Sequence, residues 1–172
     1  NFTDDLVFLG GLDLRGYKGI HFTEVTDLLG GQYYSDNANI NNPNAQAKVG
    51  DKIFYDNDGK VGWLGAFAQV EYDIKENLNA FVSLSASNTS YQRVDRFLYL
   101  DSDPLQESDK YNFFGFGAKG GANYRIDGNH NVFANLGYFE RAPYFNSVFA
   151  NRNNVDVNGD AENQKITSFE LK

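Results

Sequence analysis

Cysteine and methionine are absent from these 172 residues, tryptophan occurs once and histidine twice. Without cysteine there is no disulfide framework, no thiolate metal site and no cysteine nucleophile. The two histidines, His21 and His130, stand far apart along the chain. Basic residues are outnumbered, with 15 Lys and Arg against 23 Asp and Glu and a net charge of −8. Such a chain does not neutralise phosphates, so nucleic acid is excluded as a partner. Long apolar runs are missing too, and nothing approaches the roughly 20 residues of a membrane-spanning helix. The mean hydropathy of −0.52 would ordinarily indicate a water-soluble chain. A barrel strand, however, shows lipid only every second residue, and averaging hides it.

What the chain does have is aromatic residues, 16 %, and 17 glycines, a mixture that favours strands and tight turns over helices. Period-two alternation appears in four stretches. Over residues 62–73, Leu64, Ala66, Ala68, Val70 and Tyr72 oppose Gly65, Phe67, Gln69 and Glu71. Over residues 78–86, Leu78, Ala80, Val82, Leu84 and Ala86 oppose Asn79, Phe81, Ser83 and Ser85. A third stretch sets Phe114, Phe116, Ala118, Gly120, Ala122 and Tyr124 against Gly115, Gly117, Lys119, Gly121, Asn123 and Arg125. The fourth sets Val132, Ala134, Leu136 and Tyr138 against Asn131, Phe133, Asn135, Gly137 and Phe139. Asp127-Gly128-Asn129 joins the last two as a hairpin. No charge falls on the apolar face of any of the four. Residues 6–15 and 166–171 are predicted as outer strands. Between them, residues 16–61 hold a predicted helical turn capped by Thr23, with Val25, Leu28 and Leu29 at helical spacing, and residues 87–112 are predicted as a polar excursion.

Connections alternate between long and short, and each short turn follows an apolar-face tyrosine, Tyr72 or Tyr124. Outer-membrane barrels combine short periplasmic turns, long extracellular loops and interfacial aromatic girdles, and each central stretch suits the roughly 9–11 residues that cross a bilayer at a tilt. The fold class expected is therefore all-β: an antiparallel up-and-down transmembrane β-barrel of about six strands. A soluble antiparallel sandwich also alternates apolar and polar residues and is the competing reading.

The stretch from Gly137 to Phe149, containing Arg141-Ala142-Pro143 between aromatic residues, resembles the late-barrel signature of TonB-dependent outer-membrane receptors. The residues from Leu12 to Gly30 resemble the Bacteroidetes branch of that family. Asn163, Gln164 and Lys165 stand where the family carries Lys-Pro-Glu, and that element is absent here. The resemblance implies the carboxy-terminal part of a large barrel of about 22 strands, without the amino-terminal plug. Six strands fall below the usual minimum of about eight for a closed barrel, so residues 1–172 are expected to form one segment of a longer polypeptide. The implied function is uptake of a scarce nutrient (siderophore-bound iron, a vitamin, a peptide or a glycan) with no enzymatic activity and no cofactor. The implied partners are outer-membrane lipid and lipopolysaccharide, TonB-ExbB-ExbD acting through the plug, and a surface lipoprotein. The alternative is a non-transporting surface β protein, either an adhesin or scaffold or a soluble carbohydrate-binding β-sandwich.

The resemblance also implies that substrate touches the extracellular loops and the upper plug, which makes Trp63, Tyr91, Arg93, Tyr144 and Phe145 the candidate ligand-side residues. Gln69, Glu71, Asn79, Ser83, Ser85, Lys119, Asn123, Arg125 and Asn135 are expected to face the lumen or plug. Asn154, Asp156 and Asn158, followed by Gly159, occupy early positions of an EF-hand-like loop, but Lys165 stands where the bidentate Glu belongs. They form a weak calcium candidate beside the plain reading as Asp/Asn/Gly turns.

Overall fold

A computed structural model of the protein describes residues 5–172. Six strands form one antiparallel sheet: β1 (Leu6–Glu24), β4 (Lys52–Lys75), β5 (Leu78–Asp95), β6 (Tyr111–Arg125), β7 (Asn131–Arg141) and β8 (Gln164–Leu171), neighbouring one another in that order. Between β1 and β4 a two-stranded ribbon pairs β2 (Tyr34–Asp36) with β3 (Ala45–Ala47). Every neighbour in the large sheet is the next of its strands along the chain, so the sheet is a meander. β1 and β8 are its outer strands, and the barrel is not closed within this chain.

The register converts alternation into two faces. Leu12 pairs with Ala66, Ala66 with Ala86 and Ala86 with Phe116, while Val70, Val82, Gly120, Leu136 and Phe169 form a parallel row. Directly paired residues point to the same side of a sheet, so these rows make one apolar belt across all six strands. The belt is uncovered: Leu12 is 77 %, Phe114 76 % and Phe169 71 % exposed. No second sheet packs on it among the described residues, whereas a sandwich buries its apolar faces against each other. An apolar surface of that extent is unstable in water and at rest in lipid.

The strands outrun their expected lengths. β1 has 19 residues, β4 24 and β5 18, well beyond the roughly 9–11 that a bilayer needs. The additions lie on the long-loop side, so the sheet stands out of the membrane on its extracellular side. Pairing there continues through Lys18–Lys60, Gly59–Arg93 and Asn57–Asp95. Backbone ladders are indifferent to side-chain polarity, and this is why residues expected as loop are strand. The polar excursion contracts to residues 96–110.

The expected helical turn after Thr23 does not form. Glu24 ends β1, and Val25 then pairs across the loop, donating to Asp51 O at 3.0 Å and accepting from Gly50 N at 2.8 Å. Asp27 accepts from Leu29 N at 2.8 Å, and Leu29 and Gly30 adopt left-handed φ values of 51° and 87°, which no helix continues through. Val25 and Leu28 instead join Ala47 and Ile53 in a small apolar cluster. Opposite, the register slips between Phe22 and Thr23, leaving Phe54 and Tyr55 bulged out of the ladder.

Candidate functional site

The polar face carries every residue expected to face the lumen. Gln69, Ser83, Lys119 and Gly137 make one cross-strand row; Glu71, Phe81, Gly121 and Asn135 a second; Asp73, Asn79 and Asn123 a third. Ser85 and Arg125 share that side, because each lies an even number of residues from a member of these rows. Many of these groups are already engaged with one another. Gln69 donates to Glu71 at 2.7 Å, Asn131 to Asn123 at 2.8 Å, and Arg125 to the carbonyl of Glu76 at 2.6 Å. Between them the wall is tiled: Phe67 lies over Gly11, Trp63 over Gly65, Phe81 over Gly121 and Phe139 over Gly137. A Cβ at any of these glycines would fall within 2.9 Å of the ring above it. Glycine is required there because the aromatic ring occupies the space that a side chain would take.

Above the belt the same face is covered by the chain after β7. Arg141 ends that strand, and residues 142–163 turn back over the extended ends of β4, β5 and β6 through the short helix α1 (Phe145–Val148). Tyr91, Val148 and Phe149 are buried together, with Val61, Tyr111, Phe113 and Phe145 packed around them. The Tyr91 hydroxyl donates to Pro143 O at 2.8 Å, and burial pushes this phenol above its ordinary value against the opposing pull of Arg141. The Arg141-Ala142-Pro143 motif therefore marks where the chain leaves the sheet and is pinned by β5.

A buried clamp joins the loops. Arg93 bonds Asp95 at 2.5 Å with both side chains almost fully enclosed. The other oxygen of Asp95 accepts from Phe97 N at 3.0 Å and Leu98 N at 2.9 Å. Asn154, from the third excursion, accepts from Arg93 at 3.1 Å and donates to the carbonyls of Leu105 at 2.9 Å and Gln106 at 2.7 Å. Asn41, from the first, donates to the carbonyls of Arg96 at 3.1 Å and Tyr99 at 3.0 Å and accepts from Asp101 N at 2.9 Å. Two asparagines thus tie all three excursions into one body. On the opposite face Asp58 lies between Lys18 at 2.9 Å and Arg96 at 2.5 Å. Arg96, working against the cost of burial, and then Lys18 hold its carboxyl below the usual range.

Of the expected ligand-side residues, Arg93 and Phe145 line one cavity, and Tyr91 stacks edge-on against Phe145 at 5.6 Å. Tyr91 and Arg93 are both buried and fix the wall of the site. Tyr144 is exposed, with the Arg141 guanidinium 5.0 Å from its ring centre. Trp63 sits lower on the sheet under Arg15, 4.9 Å away. The residues of the calcium candidate make separate internal bonds. Asn154 serves the clamp, Asp156 accepts from Asn151 at 2.7 Å, and Asn158 donates to Ser147 O at 3.0 Å and accepts from Asp160 N at 3.0 Å. Each has partners of its own.

Sequence reasoning missed Asn41, Asp95, Phe97 and Arg152, all at this site. Asn41 sits in an Asn-rich run, where nothing distinguishes one amide from its neighbours. The only signal for Asp95 was its place between Arg93 and Arg96.

The sequence model of the family described as TonB dependent receptor-like, beta-barrel matches residues 1–171. No curated protein matches the chain, and no solved structure does. An uncovered apolar belt, short turns on one side and a folded loop body on the other are what that family's barrel requires. The chain belongs to the TonB-dependent receptor β-barrel family, whose members are receptors and transporters in the outer membrane of Gram-negative bacteria.

Proposed function

We propose that this protein takes up a scarce nutrient through the outer membrane, capturing it on the extracellular side and releasing it inward under energy supplied by TonB with ExbB and ExbD. The observation that carries this reading is the loop body. Three excursions converge on the water-facing side of the sheet above the lipid belt, where a captured solute would meet the barrel mouth. Residues 1–172 would be one part of that barrel, with a plug supplied elsewhere in the same polypeptide. The polar rows through Gln69, Glu71 and Lys119 would line the passage and contact the plug. Residues 12–30 support assignment to the Bacteroidetes branch, and with it a surface lipoprotein as partner over the extracellular rim. No catalytic role is assigned to any residue.

The test is uptake in the source bacterium. Deleting the gene should abolish accumulation of one limiting nutrient among iron complexes, vitamins, peptides and glycans. A protonophore should abolish the same accumulation in the intact strain, because TonB-driven release draws on the proton gradient. Accumulation indifferent to the protonophore would mean passive entry or simple adhesion.

A further inference from the structure

Beside the clamp is a cavity of about 650 Å3, between the bulge of β4, the start of the second excursion and the segment around α1. Its size falls in the range of small-molecule sites, roughly 300–1,000 Å3. Phe54, Phe97, Leu98 and Phe149 supply an apolar lining, and Asn57 and Arg152 supply polar groups.

Three features set it apart from the grooves elsewhere on the sheet. The walls are fixed, because Asp95 holds the backbone of Phe97 and Leu98 while Arg93 joins Asp95 to Asn154. Two lining residues are held in the left-handed region, Phe54 at φ 65° and Arg152 at φ 55°, and bulky residues persist there only where surrounding structure imposes it. The charge is also unbalanced. Asp95 is already satisfied by Arg93 and two backbone N–H groups. Arg152, exposed at the cavity, has no ion pair and no side-chain hydrogen bond among the described residues, so its guanidinium is available there in a chain of net charge −8.

We propose that this cavity binds a small organic anion with a flat apolar body, the body against the aromatic walls and a carboxylate or similar group on Arg152. Guanidinium matches a carboxylate as a two-pronged donor, and fixed walls reduce the ordering that binding demands. A cationic ligand is disfavoured because the one carboxylate in the lining has no free oxygen. This rests on the uptake reading and names the chemical class of its substrate.

The experiment uses the native protein purified in detergent from the outer membrane, with empty micelles as the blank. Equilibrium dialysis compares naphthoate with its neutral analogue naphthamide. Naphthoate should bind about tenfold more tightly, the discrimination expected of one charge-assisted contact. Arg152→Gln should bring the two to parity, Arg152→Lys should retain a preference, and Phe97→Ala should weaken both. Heat-modified gel mobility identical to the parent verifies that each variant is folded. Equal binding of both probes, binding of neither, or a preference that survives Arg152→Gln overturns the proposal. Nutrient accumulation that remains sensitive to a protonophore in that event leaves uptake standing and removes only this ligand class. Insensitive accumulation removes uptake whatever naphthoate does.

Discussion

The two halves of β4 belong to one strand with the same neighbours, β1 and β5, and they obey opposite rules. In residues 62–73 the apolar side chains, Leu64 to Tyr72, point away from the loop body and the polar ones point toward it. In residues 52–61 the sides exchange. Asp58 and Lys60 continue the row of Leu64, while Gly59 and Val61 turn toward Phe145 and Tyr91. β5 and β6 do the same, with Ser90, Gln92 and Asn112 above the belt and Tyr91, Tyr111 and Phe113 in the inner cluster. The backbone does not change at this point. What changes is the solvent: lipid outside the lower half, water outside the upper half, and folded chain inside it. Hydrophobic sidedness reports the surroundings of a strand, and it reverses where those surroundings do.

The largest effect expected from breaking this comparison lies in the upper half. Asp95→Ala leaves the enclosed Arg93 guanidinium without its counter-charge, a loss of about 3–5 kcal/mol for a buried pair. Hydrogen exchange over residues 96–110 should accelerate strongly while the belt strands keep their protection. Uniform loss of protection would mean that the two halves are one cooperative unit.

Next comes the lower half. Val82→Arg places a charge on the lipid side and should cost about 2–4 kcal/mol in urea unfolding from bilayers, whereas Ser83→Arg on the polar side should be much milder. Equal costs would count against the assignment of faces.

A smaller effect is expected within the tiled wall. Gly121→Ala would bring a methyl into the Asn135 amide oxygen and to 2.8 Å from both the Ala134 carbonyl oxygen and the Phe81 ring, an overpacking cost of about 1–3 kcal/mol. Gly16→Ala, with nothing within 4 Å, should stay within about 0.5 kcal/mol of the parent. Thermal unfolding of the two variants side by side measures the difference.

The smallest effect is a dependence on acid. Asp58 is held below the ordinary carboxylate range by Arg96 and Lys18, so its contribution is complete above the unfolded-state value near 4. That contribution is lost as pH falls through the lower folded-state value. Protease cleavage in residues 96–110 should rise on acidification through that window, and in Asp58→Asn the rise should be blunted.

The same reversal explains what was legible in the sequence. The four belt stretches, their faces and both hairpin turns could be read because lipid on one side imposes strict alternation. Residues 16–24, 52–61 and 87–95 read as loop because neither side there is uniformly apolar, although their strands stay paired on both sides of the bulge at Phe54 and Tyr55. The spacing of Val25 and Leu28 serves a cluster with Ala47 and Ile53, distant residues that a local pattern does not contain, while Leu29 is exposed. Trp63, Tyr91, Arg93, Tyr144 and Phe145 are candidates through the family resemblance, and of them Arg93 and Phe145 meet at the cavity. Nothing in the sequence marks Arg152 as a site residue, because what distinguishes it is its place at the cavity without a partner among the described residues.

The central claim is that one face of this sheet lies in lipid and the other does not. Residues 1–172 contain no cysteine; with any cysteine outside them replaced by serine, single cysteines placed in turn at residues 78–86 of the native protein can each carry a nitroxide. Collision rates in bilayers are then measured with oxygen, which concentrates in lipid, and with a nickel chelate, which stays in water. The expected result is an oxygen profile of period two with maxima at Leu78, Ala80, Val82, Leu84 and Ala86, and minima at Asn79, Phe81, Ser83 and Ser85. A flat profile, or maxima on the second set, would contradict the assignment of the lipid face.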